Sequence, residues 1–421
     1  MSCDTSTRLG NPNVKVVFLT EQYPPVVWDG VGTYTATIAP ALAGLGHEVH
    51  VVACQGRGLR DEVHDGVFVH RRPLVRIPIS RYLGRYARFL RGRDYPRDSI
   101  SLRLSLAFSY GYWMWRLGLQ PDVIETQESE TRALVFALRE VAPLVIRLHT
   151  PAVLDVRLRH RRLSWRAQLA DRFDRISADR AHMLVAPSPL LVDVLRRFDW
   201  IRGREPAIIP YPFDPTIFLE VGEPDRRSDI VLVVGRIEHR KGQDVLLDAV
   251  ADLRAAGLDV KVVLAGASAG ELDGLSARAA IEARAARLGV PCELAGHVAY
   301  PALPELYARA RVVAVPSRFE SFSLTALEAI AASRPVVISA TTGVAPFVTR
   351  WGAGAVVDPD DARGLADALR PYFVSPTLAA ETGQRGRRGL VEELTPTEIA
   401  ARETALYEAA RDEWARRQAN G

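Results

Sequence analysis

Short apolar segments alternate with helical patterns along almost the whole chain. The apolar segments are rich in valine, leucine, isoleucine and alanine, and polar or glycine-containing loops flank them. Segments of this kind predict buried strands, and helices between successive strands are typical of parallel sheets. The chain carries two such series, which predict two parallel-sheet α/β domains. The first series covers residues 14–20, 47–54, 67–70, 123–125, 144–148 and 183–186, and the second covers residues 230–235, 260–266, 293–295, 312–316, 335–339 and 355–358.

The two series set the expected domain boundaries. A chain of 421 residues is long enough for two domains of ordinary size. A connecting stretch near residues 202–213 separates the series, and a helical pattern over residues 396–417 follows the second. We therefore expect an N-terminal domain over residues 1–206 and a C-terminal domain over residues 207–395.

Composition narrows the class of protein. A hydrophobic content of 48% with 25% charged residues describes a soluble globular protein. The sequence has no run of 18 or more apolar residues, and its first residues lack the apolar core of a signal peptide, so we expect a cytoplasmic location. Cys3, Cys54 and Cys292 lie far apart without histidines at ligand spacing, which indicates free thiols and no zinc site. We see no dedicated nucleic-acid-binding module and expect no nucleic acid partner.

Two glutamates lie eight positions apart after the predicted strand at residues 312–316. Glu320 falls in the loop after that strand, and Glu328 falls one to two turns into a helix that begins near Ser323. The segment therefore presents a carboxylate and backbone N–H groups at the carboxyl end of a parallel strand, where open α/β sheets bind ligands. A sugar nucleotide fits a site of this kind.

Two cations follow the predicted strand at residues 230–235. Arg236 and Lys241 lie in the loop before the next helix, and Lys241 is one of only three lysines among 54 basic residues. An ammonium group suits a single pyrophosphate oxygen, whereas a guanidinium group can bind two oxygens. Taken alone, the pair is also explained by solvated loop charges. Together with Glu320 and Glu328, a site for a nucleotide diphosphate is the better interpretation.

These motifs resemble the retaining family 4 glycosyltransferases of GT-B fold, which carry an E-x7-E signature and an R-x4-K pair in the C-terminal domain. Glu320 and Glu328 match the first motif, and Arg236 and Lys241 match the second. The resemblance extends over nearly the whole chain, because shorter landmarks of the family also match in order and spacing. These landmarks lie at residues 187–189, 209–214 and 294–298.

The resemblance implies a GT-B fold, with two Rossmann-like parallel-sheet domains that face a central cleft. The C-terminal helix, within residues 396–421, would cross back to the N-terminal domain. The implied donor is a UDP- or GDP-linked sugar that serves as co-substrate without a further cofactor, and we expect a small polar metabolite as acceptor. The residues expected to bind the donor are Gly30, Gly32, Arg236, Lys241, His297, Val298, Glu320, Ser321, Phe322, Ser323, Leu324 and Glu328.

The resemblance also implies a mechanism, with His149, Arg236, Lys241 and Glu320 as catalytic residues. A double displacement needs a nucleophilic carboxylate about 5 Å from an acid/base partner. The family instead places the first glutamate on sugar hydroxyls and the second, Glu328, on the ribose. We therefore expect retention without a covalent intermediate, with the acceptor entering on the face from which the diphosphate leaves. The two cations would stabilise the leaving group, so no metal is expected.

In the N-terminal domain, the segment from Asp29 to Tyr34 is expected to hold the acceptor and part of the donor's phosphate. A glycine pair before a helix lets the backbone approach an anion at the positive end of the helix dipole. The G-x-G pattern of Gly30 and Gly32 alone usually marks only a turn. Asp29 stands where the family often has another glycine, so Asp29 and Tyr34 are acceptor-side candidates. His149 ends a predicted strand, where the family has a histidine beside the donor sugar.

The sequence departs from the family pattern at several glycines. Ser321 and Ser323 flank Phe322 at positions where the family has glycine, and Ser333 replaces the glycine before the next strand. The added hydroxyl groups bear on which sugar fits. His297 and Val298 are expected near the base, but backbone contacts do not distinguish uridine from guanosine by sequence.

Two alternatives to a small-metabolite enzyme stay open. Arg81, Arg85 and Arg88 recur at helical spacing beside aromatic residues, so a basic-aromatic helix there either packs its rings or lies on an anionic membrane. Peripheral membrane contact would fit a lipid or polysaccharide acceptor. The other alternative is a catalytically silent scaffold that binds nucleotide sugars. Trp113 and Trp115 are expected in the core, and the oligomeric state is left open.

Overall fold

The computed structural model describes residues 14–25, 30–54, 58–77, 100–151, 153–154, 156, 164–272 and 274–420. The chain divides into two compact units, one formed by Met1–Pro212 with Pro396–Gly421 and the other by Phe213–Thr395. Asp29 and the predicted basic-aromatic helix with Arg81, Arg85 and Arg88 lie outside the described residues.

The first unit is built on an eight-stranded sheet with the strand order β3-β4-β2-β1-β5-β6-β7-β8. Neighbouring strands are parallel except for β3 and β4, which pair antiparallel. The central strands are apolar and almost wholly buried, as expected where helices cover both faces of a parallel sheet. The strands are β1 Lys15–Thr20, β2 Glu48–Ala53, β3 Arg60–His64, β4 Val67–Arg71, β5 Val123–Gln127, β6 Leu144–Arg147, β7 Met183–Ala186 and β8 Ala207–Ile208.

The described residues of the first unit form six helices around this sheet. One landmark of the sequence has a clear local role, because Ser188 caps a helix by accepting a hydrogen bond from the Leu191 N–H at 3.3 Å. Pro189 fills the first helical position, where a missing N–H costs nothing. The helices are α1 Gly30–Gly44, α2 Ile100–Arg116, α3 Leu134–Arg139, α4 Trp165–Arg180, α5 Pro189–Arg197 and, at the end of the chain, α14 Pro396–Asn420.

The C-terminal helix α14 is part of the first unit and packs against α1. Its buried face includes Ile399, Ala400, Leu406 and Tyr407. This return to the N-terminal sheet confirms the crossing predicted for a GT-B fold.

The second unit is built on a six-stranded parallel sheet with the order β13-β10-β9-β14-β15-β16. Numbered by their sequence order within this sheet, the strands read 3-2-1-4-5-6, which is the Rossmann order. The order reverses between β9 and β14, and ligands bind at the carboxyl ends of strands at such a switch point. The strands are β9 Ile230–Val234, β10 Lys261–Ala265, β13 Cys292–Gly296, β14 Val312–Val315, β15 Val336–Ser339 and β16 Gly354–Val357, with a separate hairpin of β11 Glu271–Leu272 and β12 Leu275–Ser276.

The helices of the second unit pack around an aliphatic core of valine, leucine and alanine side chains. Two short 3₁₀ segments, His239–Lys241 and Tyr300–Ala302, precede helices of this unit. The helices are α6 Thr216–Leu219, α7 Gln243–Ala255, α8 Ala277–Leu288, α9 Leu303–Arg309, α10 Leu324–Ala331, α11 Ala345–Trp351, α12 Ala362–Val374 and α13 Pro376–Glu393.

Two glycines permit the backbone to close up at the switch point. Gly242 has φ of 66°, and a Cβ atom there would lie 2.0 Å from the Pro316 carbonyl oxygen. Gly266 has φ of 156°, and a Cβ atom there would lie 2.0 Å from the Gly235 carbonyl oxygen. Any larger side chain would push apart the loops that follow β9, β10 and β14.

Some expectations need correction or completion. Trp115 was expected in the core, but 74% of it is exposed. Trp113 is half-buried, and its Nε1 donates to the Pro73 carbonyl oxygen at 2.9 Å. Strands β3, β8, β11 and β12 were not predicted. Cys54 and Cys292 are free thiols. Within the described part of the chain, we find no helix with the length and apolar character needed to cross a membrane.

Candidate functional site

The loops after β9 and β14 meet at the switch point of the second unit. The Arg318 N–H donates to the Arg240 carbonyl oxygen at 2.8 Å, which ties the two loops together. Arg318 also binds the Asp244 carboxylate through both terminal nitrogens, at 3.1 and 2.8 Å. These bonds fix the backbone that carries Lys241 and Glu320.

Lys241 and Glu320 form an ion pair in this site. The Lys241 ammonium donates to Glu320 Oε1, and the Ser317 hydroxyl donates to the same oxygen at 3.3 Å. Arg240 Nη1 lies 3.3 Å from Glu320 Oε1 as well. Burial alone would raise the pKa of Glu320, but the Lys241 and Arg240 cations reverse this effect and lower it. Glu320 is therefore a carboxylate at neutral pH.

Arg236 lies on the open side of the same loop. Its side chain is 57% exposed, and its Nη2 lies 3.3 Å from Glu238 Oε1. The Arg236 carbonyl oxygen accepts a hydrogen bond from Gln243 Nε2 at 2.8 Å, which fixes the loop backbone. The guanidinium group is thus accessible to an anion, while its backbone is held in place.

Glu328 lies in α10 and is buried. The Tyr307 hydroxyl donates to Glu328 Oε2 at 2.7 Å. Burial raises the pKa of Glu328 to about 7, against the opposing effects of the Tyr307 hydrogen bond and the Lys241 charge. Lys241 therefore acts electrostatically on both glutamates of the E-x7-E motif.

The segment between the two glutamates turns into α10. Ser323 adopts φ of 107°, which L-residues rarely adopt, and its hydroxyl caps α10 by accepting from the Ala326 N–H at 3.4 Å. Phe322 is buried and meets the Phe347 ring edge-on, with centroids 6.1 Å apart. Ser321 is half-buried beside them, and Leu324 is the first residue of α10.

His297 and Val298 follow β13, the edge strand of this sheet. His297 is exposed and Val298 is half-buried. The strand order puts β10 between β13 and β9, and the three strands are parallel. His297 and Val298 therefore lie at the carboxyl ends of the strands, as the cation loop does.

His149 follows β6 in the first unit and is buried. Its Nδ1 is hydrogen-bonded to the Tyr211 hydroxyl, and its Nε2 has no hydrogen-bond partner among the described residues. Burial and the nearby Arg147 and Arg132 cations hold the pKa of His149 well below its usual value. The imidazole is therefore neutral, and a Tyr211 O–H that donates to Nδ1 leaves the proton on Nε2.

Glu128 holds the backbone of the His149 loop, a role that the sequence analysis missed. Its two oxygens accept hydrogen bonds from the N–H groups of His149 and Thr150 at 3.1 and 3.0 Å. Burial raises its pKa to about 7. The available signal was its position directly after β5, which neighbours β6 in the sheet.

The glycine turn of the first unit opens α1, which begins at Gly30, with Gly32 buried in its first turn. Tyr34 follows this turn in α1 and is 3% exposed. Its hydroxyl donates to Glu125 Oε1 at 2.8 Å, and the Arg147 guanidinium lies 4.2 Å from its ring centroid. The tyrosine thus belongs to the interior of the first unit.

Comparison with protein families decides the class of this chain. Residues 29–212 match the family model described as "Glycosyl transferase 4-like domain", and residues 217–389 match "Glycosyl transferases group 1". The chain belongs to the family 4 glycosyltransferases. Together the two matched ranges cover most of the sequence, and their division agrees with the two compact units.

Individual proteins resemble this glycosyltransferase over nearly its full length. The glycogen synthase of Mycobacterium tuberculosis is 24% identical over 94% of this chain and 95% of its own. The sucrose-phosphate synthase of Thermosynechococcus elongatus superposes with a TM-score of 0.72 at 20% identity, over 94% of this chain and 98% of its own. The Anabaena protein Alr3699/HepE in complex with UDP does so with 0.67 at 18% identity, over 94% and 100%. The structural likenesses show that the fold is GT-B.

The glycosyltransferase thus carries its expected residues in two groups. The second unit brings together Arg236, Lys241, Glu320 and Glu328 at its switch point. His149 and the glycine turn belong to the first unit. The site residues are also contacted directly by Arg240 and Glu238, which were not predicted from the sequence.

Proposed function

We propose that this glycosyltransferase moves a sugar from a nucleoside-diphosphate sugar to a small polar acceptor, with retention of the anomeric configuration and without a metal ion. The observation that carries the proposal is the ion pair of Lys241 and Glu320 at the switch point, with the exposed Arg236 beside it. This arrangement combines cations for a diphosphate with an ionised carboxylate for sugar hydroxyls.

The diphosphate of the donor binds Arg236 and Lys241. Arg236 offers a planar fork of donors to two oxygens, and Lys241 offers a compact charge to one. As the bond between the sugar and the diphosphate breaks, negative charge grows on the leaving oxygen. Preorganised donors at such a position each contribute about 2.7–4 kcal/mol. Two protein cations thus supply the charge that a metal ion supplies in other transferases.

The two glutamates bind the hydroxyl groups of the donor. Glu320 is ionised and accepts hydrogen bonds from the transferred sugar. Glu328 is buried, with one oxygen bonded to the Tyr307 hydroxyl, and its carboxyl group binds the ribose. The α10 N-terminus, with Ser321, Phe322, Ser323 and Leu324, adds the positive end of a helix dipole to the phosphate site.

Retention follows from a reaction on the face of the leaving group. The acceptor oxygen forms a bond to the anomeric carbon as the phosphate oxygen leaves from the same face, and the acceptor proton passes to that phosphate oxygen. Glu320 is a poor nucleophile because the Arg240 cation stabilises its charge. The reaction therefore proceeds without a covalent sugar–enzyme intermediate. His149 contributes a neutral Nε2–H that donates to a sugar hydroxyl.

The names of similar proteins point to two different classes of acceptor. Sucrose-phosphate synthase is named for a small sugar phosphate, whereas glycogen synthase is named for a polysaccharide. We retain a small polar acceptor, with a cytoplasmic location, and UDP is the first donor nucleotide to test because Alr3699/HepE was solved with it. A lipid or polysaccharide acceptor and a silent scaffold are the alternatives that the assay below separates.

The test is transfer activity in a pair of matched lysine variants. Lys241→Met removes the site cation, and Lys261→Met removes a surface lysine of the same unit, which pairs with Asp229 at 2.7 Å. With a panel of donors and acceptors read by mass spectrometry, we expect Lys241→Met and Glu320→Gln to lower kcat about 100-fold or more. Lys261→Met should keep wild-type turnover.

Two further readings complete this test. The anomeric proton signal of the first product in NMR should show the configuration of the donor, and a chelator should leave the rate unchanged. Inversion, loss of activity with chelator, or full turnover in both Lys241→Met and Glu320→Gln would contradict the proposal. Wild-type protein that binds a nucleotide sugar but transfers to no acceptor would favour the silent scaffold.

A further inference from the structure

Arg240 lies between the two carboxylates of the cation loop. Its Nη2 donates to Glu238 Oε1 at 2.9 Å, and its Nη1 lies 3.3 Å from Glu320 Oε1. Nη1 also donates to the Phe319 carbonyl oxygen at 2.9 Å. The Arg240 side chain is 20% exposed, against 57% for Arg236, so Arg240 faces inward and Arg236 faces outward.

Each of these carboxylates also pairs with a cation that we assign to the diphosphate. Glu238 Oε1 lies 3.3 Å from Arg236 Nη2, and Glu320 Oε1 accepts from Lys241. The five side chains form one charge network, in which contacts run in the order Arg236, Glu238, Arg240, Glu320, Lys241. Three positive and two negative charges leave this network with a net charge of +1, before any ligand binds.

Donor binding changes the balance of charges within this network. A diphosphate carries negative charge on both phosphates and attracts Arg236 and Lys241 away from their carboxylates. Glu238 is only 3% exposed, and a buried carboxylate that loses one of its cations is destabilised. Arg240 contacts both carboxylates through separate nitrogens, so it compensates them while the other two cations turn to the ligand. A lysine has a single ammonium and lacks this fork.

We propose that Arg240 is a positioning residue that serves as the permanent counter-charge of Glu238 and Glu320 and thereby frees Arg236 and Lys241 for the donor diphosphate. The inference rests on the proposed function and extends it to two of the four residues between Arg236 and Lys241, whose identity the R-x4-K motif leaves open. Its contact with the Phe319 carbonyl oxygen also fixes the backbone just before Glu320. Arg240 itself touches no reacting atom in this scheme.

The test compares Arg240→Met, Arg240→Lys and the double variant Glu238→Gln/Arg240→Met in the full-length protein. We expect Arg240→Met to weaken binding of the nucleoside diphosphate about 30-fold or more and to raise the donor KM, with the acceptor KM unchanged. Arg240→Lys should restore only part of the affinity. The double variant should bind more tightly than Arg240→Met, because it removes one of the two carboxylates that need compensation.

The control and the contradicting results are equally specific. Arg284→Gln breaks a two-contact pair with Asp248 on helices α7 and α8 and should leave nucleotide affinity unchanged. Wild-type affinity in Arg240→Met, or no gain in the double variant, would overturn the role of Arg240 while the proposed function stands. Wild-type protein that binds no nucleotide would overturn the proposed function and this inference together. Circular dichroism on each variant verifies the fold. Because Arg240→Met and the double variant share the same arginine substitution, a difference in affinity between them is not due to a structural effect of that substitution.

Discussion

Arg147 and Glu403 form a buried ion pair although 256 positions separate them in the sequence. Arg147 ends β6, Glu403 lies in α14, and neither side chain is more than 1% exposed. Arg147 Nε also donates to Glu125 Oε1 at 3.0 Å, and the Tyr407 hydroxyl donates to the other Glu125 oxygen at 2.5 Å. This network attaches the C-terminal helix to the two strands that precede Glu128 and the His149 loop.

Removal of the Arg147 cation, which Glu125 and Glu403 share, should lower the free energy of unfolding. Arg147→Met leaves Glu125 and Glu403 buried without their positive partner, and breaking a buried ion pair in this way costs about 3–5 kcal/mol. Glu403→Gln keeps an amide oxygen that can accept from Arg147 and should cost only about 1 kcal/mol. Equilibrium urea unfolding measures both values. An Arg147→Met protein as stable as the Glu403→Gln protein would contradict this account of the network.

His182 should make the protein less stable in acid. It is buried, its Nδ1 accepts from the Leu144 N–H at 3.0 Å, and burial together with the Arg417 charge lowers its pKa from 6.5 to about 4. The folded state therefore prefers the neutral ring, so its contribution is complete above pH 6.5 and is lost as pH falls from 6.5 to about 4. The full loss is about 3 kcal/mol at 1.36 kcal/mol per pH unit.

The matched variant for this effect is His182→Gln, whose amide oxygen can accept the same N–H but cannot be protonated. The difference in unfolding free energy between wild type and variant should grow in favour of the variant as the pH is lowered through that window. Glu128 and Glu328 titrate in both proteins and cancel in the difference. A difference that stays constant from pH 7 to pH 4 would show that the pKa of His182 is the same in the folded and unfolded states, which contradicts this account.

Ser323 should carry backbone strain that glycine relieves. Its φ of 107° costs a non-glycine residue about 1–3 kcal/mol, and its hydroxyl caps α10. Ser323→Gly removes the strain and loses only a few tenths of a kcal/mol as a cap, so we expect about 1 kcal/mol of added stability. Ser323→Ala keeps the strain and loses the cap, so it should be less stable than wild type by about 1 kcal/mol. Denaturation midpoints in the reverse order would contradict the assignment.

Tyr211 should matter for turnover through the His149 ring. Its hydroxyl is hydrogen-bonded to Nδ1, and in the proposed mechanism it donates this bond and so keeps the proton on Nε2. His149→Ala removes the donor and should lower kcat about 100-fold. Tyr211→Phe frees the ring to exchange tautomers and should lower kcat by a smaller factor, with the donor KM little changed. Steady-state kinetics distinguishes these results, and full activity in His149→Ala would remove the histidine from the mechanism.

Continuous apolar segments made the sheets predictable from sequence. The buried parallel strands β1, β9, β10 and β14 are rich in valine and other apolar residues, and all were expected. Strand β3 was not, because Arg60–His64 is charged, mostly exposed and held by pairing with β4 alone. Strand β8 has only two residues, too few for a periodic signal. Trp115 was misplaced because an aromatic residue on a helix gives no sign of which face is covered.

The motif residues of the site were also predictable, but their contacts were not. Spacing identified Glu320 and Lys241, yet the ion pair between them depends on the close approach of two loops at Gly242. Arg240 is one of many arginines in a chain where arginine is the usual cation, so composition did not distinguish it. Its role depends on two distances, to Glu238 and to Glu320, that no sequence pattern encodes.

The most direct measurement of the central claim is a thermal-shift panel of UDP, GDP, ADP, TDP and their sugar conjugates, with chelator present throughout. A ligand at 100 times its dissociation constant adds about 2.7 kcal/mol of stability, which is a clear rise in Tm. We predict that one nucleoside diphosphate raises the Tm of wild type and of Lys261→Met, and that Lys241→Met loses the rise. No stabilisation of wild type by any of these nucleotides, or an equal shift in both lysine variants, would contradict the account.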